Sequence, residues 1–301
     1  EEAWALLPKT VSGGDGPLPN WAKAMALQMP RTAAAMLNLD EAQRTRSGLE
    51  PVLRAKMRWV IASANRCQYS QEYAIGDLRR AGGSDDVIGY LIGSREAWPE
   101  SDRDALEFAR LLTVAAPTIS DELFERLLRE YGAEKVASMI LLAAYGNFQD
   151  RFVLGLNIPI EQGGPLPPSN VEFVAGALQL EPMMPAVPDD VSVLVTGASP
   201  VAISPAWDDI SYEELQLRLQ QQRERKPRLA VPTWEEVRGR LPAAMAIRPT
   251  RIAWTLTCYG YAPELAVPWA ITTRTHWAES PAGRIFEESL FWVQTREVEC
   301  N

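Results

Sequence analysis

Histidine is nearly missing from this sequence: His276 is the only one in 301 residues. A zinc or iron site built on several imidazoles is therefore excluded within the chain. A Ser-His-Asp triad would have to use His276, which stands between Thr275 and Trp277, and no nucleophile-elbow motif occurs anywhere. His276 is read as a surface or helix-end residue. Cysteine is almost as scarce. Cys67, Cys258 and Cys300 are an odd count at wide spacing, which is not a secreted disulfide framework. Basic charge is short as well. Lys and Arg number 30 against 39 Asp and Glu, and the net charge of -9 has the wrong sign for gripping phosphates, so no nucleic-acid partner is expected. No apolar run reaches the roughly eighteen residues of a membrane span, so no membrane association is expected. Glu1 stands where a start methionine would be, as expected of a processed or cut N-terminus. A cytoplasmic protein and an exported one with its signal removed both stay open.

What the chain does have is helical periodicity. Its length suits two domains rather than one small core. Pro30 fits the first turn of a helix running from Arg31 to about Arg46. Leu53, Met57, Val60, Ile61 and Ala64 form one buried stripe at helical spacing. A further helix follows Cys67 and stops before Gly82-Gly83, and Glu1 to Pro8 reads as a short helix ended by proline. Ser84, Ser101 and Ser120 each precede acidic residues and an apolar run, the pattern of helix N-caps. Residues 133–154 are long and strongly apolar, as in the core of a helical bundle.

At Ile158 prolines multiply and periodicity fades. Residues 158–232 are read as a proline-rich linker that packs over a surface and carries one polar helix, opened by the capping box Ser211 to Glu214. Val191 to Ile203 is the one plausible strand region. Its Val193 to Ser199 run invites comparison with a dinucleotide-binding turn. Pro200, Val201 and Ile203 stand where that turn needs glycine, so nicotinamide binding is rejected. A second capping box, Thr233 to Glu236, opens the last segment.

Shifting the chain by 233 positions brings Trp21 onto Trp254, Pro30 onto Pro263, Trp59 onto Trp292 and Cys67 onto Cys300. Ala33, Ser47 and Val60 fall on Ala266, Ser280 and Val293 at the same shift. Tryptophan and cysteine are rare, so gap-free coincidence suggests a duplicated helical unit. The first copy continues well past Cys67, whereas Cys300 is followed only by Asn301, so the second copy is expected to be present as its first half.

Glu288 and Cys300, with eleven residues between them, resemble the opening of the motif of the AhpD-like and carboxymuconolactone decarboxylase family. That motif is Glu, eleven residues, Cys, two residues, Cys, three residues, His. The resemblance implies that the second cysteine attacks a peroxide, the first resolves it, and Glu and His relay protons. A thiolate is the nucleophile in such chemistry, and a helix N-terminus with a nearby base lowers its pKa. Carried over, Glu288 takes the relay position and Cys300 that of the first cysteine. The second cysteine and the histidine would fall past Asn301. In the first copy Cys67 matches the first cysteine, but Ala55 stands at the glutamate position, Ser70 at the second cysteine and Ala74 at the histidine. That copy reads as degenerate, with Tyr69 and Glu72 as the nearest polar groups for acid–base work.

The resemblance implies an all-α protein: an AhpD-like helical domain over 1–157, the linker over 158–232, and the N-terminal half of a second such domain over 233–301. It further implies a thiol-dependent peroxidase of peroxiredoxin type, without metal or cofactor. A carboxymuconolactone decarboxylase-like acid–base enzyme and a non-catalytic scaffold are the alternatives. The partners implied are a small peroxide or lactone substrate and a thiol reductant protein. Association into homo-oligomers, or completion of the half-domain by another chain, is also implied.

Overall fold

The computed structural model describes residue 7, residues 11–12, 16–169, 172–173 and 211–297. The fold is all-α. Its helices are α1 (Asn20–Ala26), α2 (Pro30–Thr45), α3 (Pro51–Ala64), α4 (Gln68–Arg80), α5 (Asp85–Ile92), α6 (Glu100–Val114) and α7 (Asp121–Gly155). There follow α8 (Tyr212–Arg223), α9 (Trp234–Arg238), α10 (Ala253–Tyr261), α11 (Pro263–Glu279) and α12 (Arg284–Glu297). Extended pairing among the described residues is confined to two antiparallel dipeptides, β1 (Val11–Ser12) and β2 (Glu172–Phe173). No described helix is long and apolar enough to cross a membrane.

The chain divides into two compact units. One groups residues within 1–181 with 229–280, and the other groups residues within 182–228 with 281–301. These limits differ from the boundaries expected at 157/158 and 232/233. The physical reason is that α9, α10 and α11 find their apolar partners on the first bundle: Leu256, Tyr259, Leu265 and Ile271 belong to the same core as Met57, Ile61 and Leu142. In the second unit the described helices are α8 and α12. Of α12, Phe286 is 64% exposed and Phe291 62%.

Within the first unit α3 lies at the centre, packed by α4, α6 and α7. Pro51 occupies its first position, where a missing N–H has no consequence, and the Glu50 side chain accepts from the Val52 and Leu53 amides at 3.0 and 2.8 Å. Its other end closes in a Schellman turn. The Arg66 amide donates to Ser63 and the Cys67 amide to Ala62, with Arg66 at a φ of 58°. That reversal makes Cys67 the residue that opens α4. The same closure recurs at Gly82 after α4 and at Asn157 after α7. Inside α7, Gly132 breaks the helical path with φ 78° and ψ 164°.

Ser84 and Ser120 do precede α5 and α7, and Ser120 accepts from the Leu123 amide at 3.2 Å. Ser101 does not cap α6. The helix starts one residue earlier, because Pro99 already supplies the extended flanking conformation. The capping box expected at Thr233 is complete, with both Thr233 and Glu236 bonding to each other's backbone. The expected helix over Glu1 to Pro8, Leu7 apart, and the strand region Val191 to Ile203 lie outside the described residues.

Helices α10, α11 and α12 start at 253, 263 and 284, each 233 positions after α1, α2 and α3 at 20, 30 and 51. Two of these counterparts, α2 and α11, pack against each other. Thr272 donates its hydroxyl to the Ala35 carbonyl at 3.1 Å, and the Glu279 carboxylate accepts from the Arg31 and Thr32 amides at 2.9 and 2.6 Å. The contacts run in opposite directions along the two helices, so the pair is antiparallel. Ala35 of α2 lies in the same core as Leu265, Ala266 and Ile271 of α11. Glu279 thus supplies the cap that Met29 and Pro30 cannot. Replacing Glu279 by Ala is expected to lower stability by about 1 kcal/mol. Urea unfolding checks this, and an unchanged midpoint would remove Glu279 from the role of a cap.

Candidate functional site

Cys67 is fully buried at the junction of α3 and α4. Its thiol donates to the Ser70 hydroxyl at 3.4 Å. Burial pushes the thiol pKa up, and the Asp150 carboxylate adds to this; hydrogen bonding with Ser70 and the charge of Arg58 act the other way without overcoming it. The sulfur is therefore a protonated thiol at neutral pH. Ala55 and Ala74 are each 1% exposed, methyl groups inside the core. Nothing at Ser70, Ala55 or Ala74 supplies a second thiol, a carboxylate or an imidazole.

A buried carboxylate beside α1 and α4 is one that sequence reasoning passed over. Glu161, 8% exposed, accepts from the Tyr69 hydroxyl at 2.7 Å and from the Asn20 amide at 2.6 Å. It therefore caps α1 from far along the chain and holds Tyr69 at the same time. Tyr73 stacks on Tyr69 with ring centroids 4.8 Å apart, and burial raises both phenol pKa values well above their usual level. Glu72, by contrast, is exposed on α4. The segment that delivers Glu161 was expected to be the start of a linker. Its first residues pack over α2 and α4: the Leu166 carbonyl accepts from Arg44 at 2.8 Å, and Pro165 lies against Gly76. A lone acidic residue inside a Pro- and Gly-rich stretch was the available signal.

Beyond Tyr73 the helices share a buried ionic network. Asp77 on α4 receives two bonds from Arg44, at 2.9 and 2.8 Å, one from Arg80 at 2.6 Å, and stands 3.5 Å from Arg54. Burial alone would raise the Asp77 pKa, but the arginines, Arg44 foremost, hold it below the usual carboxylate value. Asp40 accepts from Tyr145 at 2.7 Å, Gln149 at 3.3 Å and Arg44 at 3.1 Å. Arg58 and Asp150 form a two-pronged pair, and Asn65 donates to the same carboxylate at 2.9 Å. Gly146 makes this pair possible. A Cβ there would meet Ile61 at 2.9 Å and Arg58 at 3.4 Å.

Between α2, α3, α4 and α7 the network encloses a cavity of about 20 Å³, room for one or two water-sized guests. An organic substrate does not fit. Wider clefts of about 280 and 320 Å³ lie elsewhere on the unit, one beside Trp59, Trp98 and Arg110 and one beside Glu134, Arg240 and Tyr261. Among the described residues no group of three or more His, Cys, Asp and Glu is placed to hold a metal. The arrangement at Cys67 is that of a protonated thiol bonded to Ser70 inside a packed core. In the second unit Glu288 is exposed on α12, and Cys300 lies outside the described residues. Cys258 is half-buried on α10, and burial raises its thiol pKa. His276 sits in the last turn of α11.

Two outcomes follow from this geometry. Native Cys67 is expected to resist iodoacetamide and to react once urea unfolds the chain; rapid native labelling, read by mass spectrometry, would contradict its burial. Asp77→Asn is expected to cost about 3 kcal/mol at neutral pH, since it leaves buried guanidinium charge uncompensated. Because the folded pKa of Asp77 is depressed, its contribution is present above the ordinary carboxylate value and is lost as pH falls through the folded one. Unfolding curves of the variant should therefore decline less steeply on the acid side. Parallel acid limbs for both proteins would contradict this.

No family model matches the chain, and no solved structure matches it. Over 121 residues it is 27% identical to a protein of Escherichia coli described as the uncharacterized protein YnjA, a match that covers 40% of this chain. The chain spans 66% of the length of that relative.

Proposed function

We propose that this chain is a fused pair of AhpD-like helical units, a structural first copy and a second copy that carries thiol-dependent peroxidase chemistry through Glu288 and Cys300. One observation carries this reading. Three consecutive helices recur with their starts 233 residues apart, and the shift that aligns them also aligns Cys67 with Cys300. Antiparallel packing of the counterparts α2 and α11 supports it too, since a two-fold relation between copies sets equivalent helices against each other in opposite directions. The first copy has the junction of the family motif but not its reactive groups. Its thiol is buried and protonated, and methyl groups stand at two relay positions.

In this reading Cys300 is the resolving thiol. The family motif puts the attacking cysteine three positions further on. Its thiolate attacks the O–O bond of a hydroperoxide, and the alcohol leaves with a proton relayed through Glu288. The sulfenic acid then condenses with Cys300, forming a disulfide and releasing water, and an external dithiol returns the two electrons.

Peroxide consumption by protein that extends past Asn301 through the remaining motif positions, with a protein dithiol as reductant, tests the reading. Cys300→Ser is expected to lose turnover about 100-fold or more, Glu288→Gln about 10- to 100-fold, and Cys67→Ser to stay within about two-fold of the parent. Full turnover in Cys300→Ser, or its loss in a folded Cys67→Ser, would sink the assignment. A second reading, a non-catalytic scaffold for a helical partner, is favoured by the exposed Phe286, Leu290 and Phe291 of α12. It requires that no variant alter peroxide consumption because none occurs.

A further inference from the structure

One of the two wider clefts combines an apolar wall with donors that lack acceptors. It holds about 280 Å³ and is bounded by α3, α5, α6 and the turn from Arg95 to Trp98. That turn is fixed: the Trp98 amide donates to the Arg95 carbonyl at 3.1 Å, and Arg103 donates to the Trp98 carbonyl at 3.0 Å. Trp59, Leu91 and Trp98 are buried and line the cleft. Ile92 and Val114 line it too and are exposed, so one apolar surface runs from the core to solvent. A single exposed aliphatic residue needs no explanation, but two that share a cleft with buried indoles mark a surface for a ligand.

The polar groups of the wall are mostly donors. Among the described residues no Asp or Glu lines the cleft, whereas Arg95 and Arg110 do, and a guanidinium only donates. Their nearest carboxylate is Glu107. It accepts from Arg110 at 2.8 and 2.6 Å and stands 3.8 Å from Arg95, beyond hydrogen-bond reach. Glu96, next to Arg95 in sequence, accepts from the Ser94 hydroxyl instead. No described residue hydrogen-bonds the Arg95 guanidinium, and 58% of that side chain is exposed. Trp98 adds an indole N–H that is buried and has no acceptor among the described residues. Ser63 is the one lining side chain that can accept.

We propose that this cleft binds a small apolar carboxylate, with its hydrocarbon body against Trp59, Leu91 and Trp98 and its carboxylate on Arg95. The size agrees. At about 30 Å³ per water the cleft holds the volume of about nine waters, and so a ligand of about that many heavy atoms. A benzoate or a medium-chain fatty acid has this size. A sugar phosphate has no apolar body to cover the indoles and brings more charge than Arg95 can meet. Cys67 is not among the lining residues, so the site is independent of thiol chemistry.

The full chain would be titrated calorimetrically with para-bromobenzoate and, separately, with para-bromobenzamide, which keeps the ring and drops the charge. Saturable binding of the acid to one site is expected, with the amide about ten-fold weaker. In Arg95→Gln the preference for the acid should vanish, while the affinity for the amide stays within about two-fold of the parent. Val114→Trp, at an exposed position that tolerates a larger side chain, should obstruct the cleft and weaken both ligands. In crystals grown with the acid, bromine should appear as an anomalous-scattering peak against Trp59 and Leu91. Absence of saturable binding, equal affinity for acid and amide in the parent, or an acid preference that survives Arg95→Gln would overturn the proposal. So would unchanged binding in Val114→Trp, or bromine seated away from the cleft.

Discussion

The first unit depends on one carboxylate. Asp77 sits inside the bundle, and arginines from two other helices and from its own converge on it. A buried charge of this kind is costly unless every partner is in place, so the network works as a geometric constraint more than as a source of stability. It permits one arrangement of α2, α3 and α4. The Arg58–Asp150 pair then ties α3 to α7 by the same logic. Apolar packing alone would tolerate a sliding of these helices by a turn. Ionic partners at fixed places do not.

Seen from this network, the Cys67 junction has a structural explanation. The Schellman turn at Arg66 is required to reverse the chain between α3 and α4, and it sets the thiol against the Arg58–Asp150 pair. A cysteine there behaves as a small buried hydrophobe with a weak hydrogen bond to Ser70. Ala55 and Ala74 fill the neighbouring core with methyl groups.

Much of the fold was legible in the sequence because it rests on local signals. The Leu53 to Ala64 stripe, the proline at Pro30, the glycine pair after Arg80 and the Thr233 capping box each act within one or two helical turns, and the helices appear where those signals stand. What escaped notice depends on distance along the chain. Glu161 and Glu279 are ordinary acidic residues by composition, and only the tertiary structure brings them to the ends of α1 and α2. The grouping of 229–280 with the first bundle escaped for the same reason, since an amphipathic helix does not announce which core it will join. Ser101 misled through proximity: Pro99 had already begun the helix. As for the site, the helix that Cys67 opens was legible, whereas the carboxylate that holds Tyr69 was not, because Glu161 lies 92 positions away. The partner of Tyr69 was not Glu72, whose place on the helix turns it to solvent.

The cap on α2 has a consequence for how the chain assembles. The carboxylate that terminates this early helix arrives 247 positions later, on Glu279. A ribosome delivering residues in order presents α2 long before its cap exists, and closing so large a loop is among the slowest elementary steps of assembly. Until α11 has been made, the first turn of α2 is without that carboxylate.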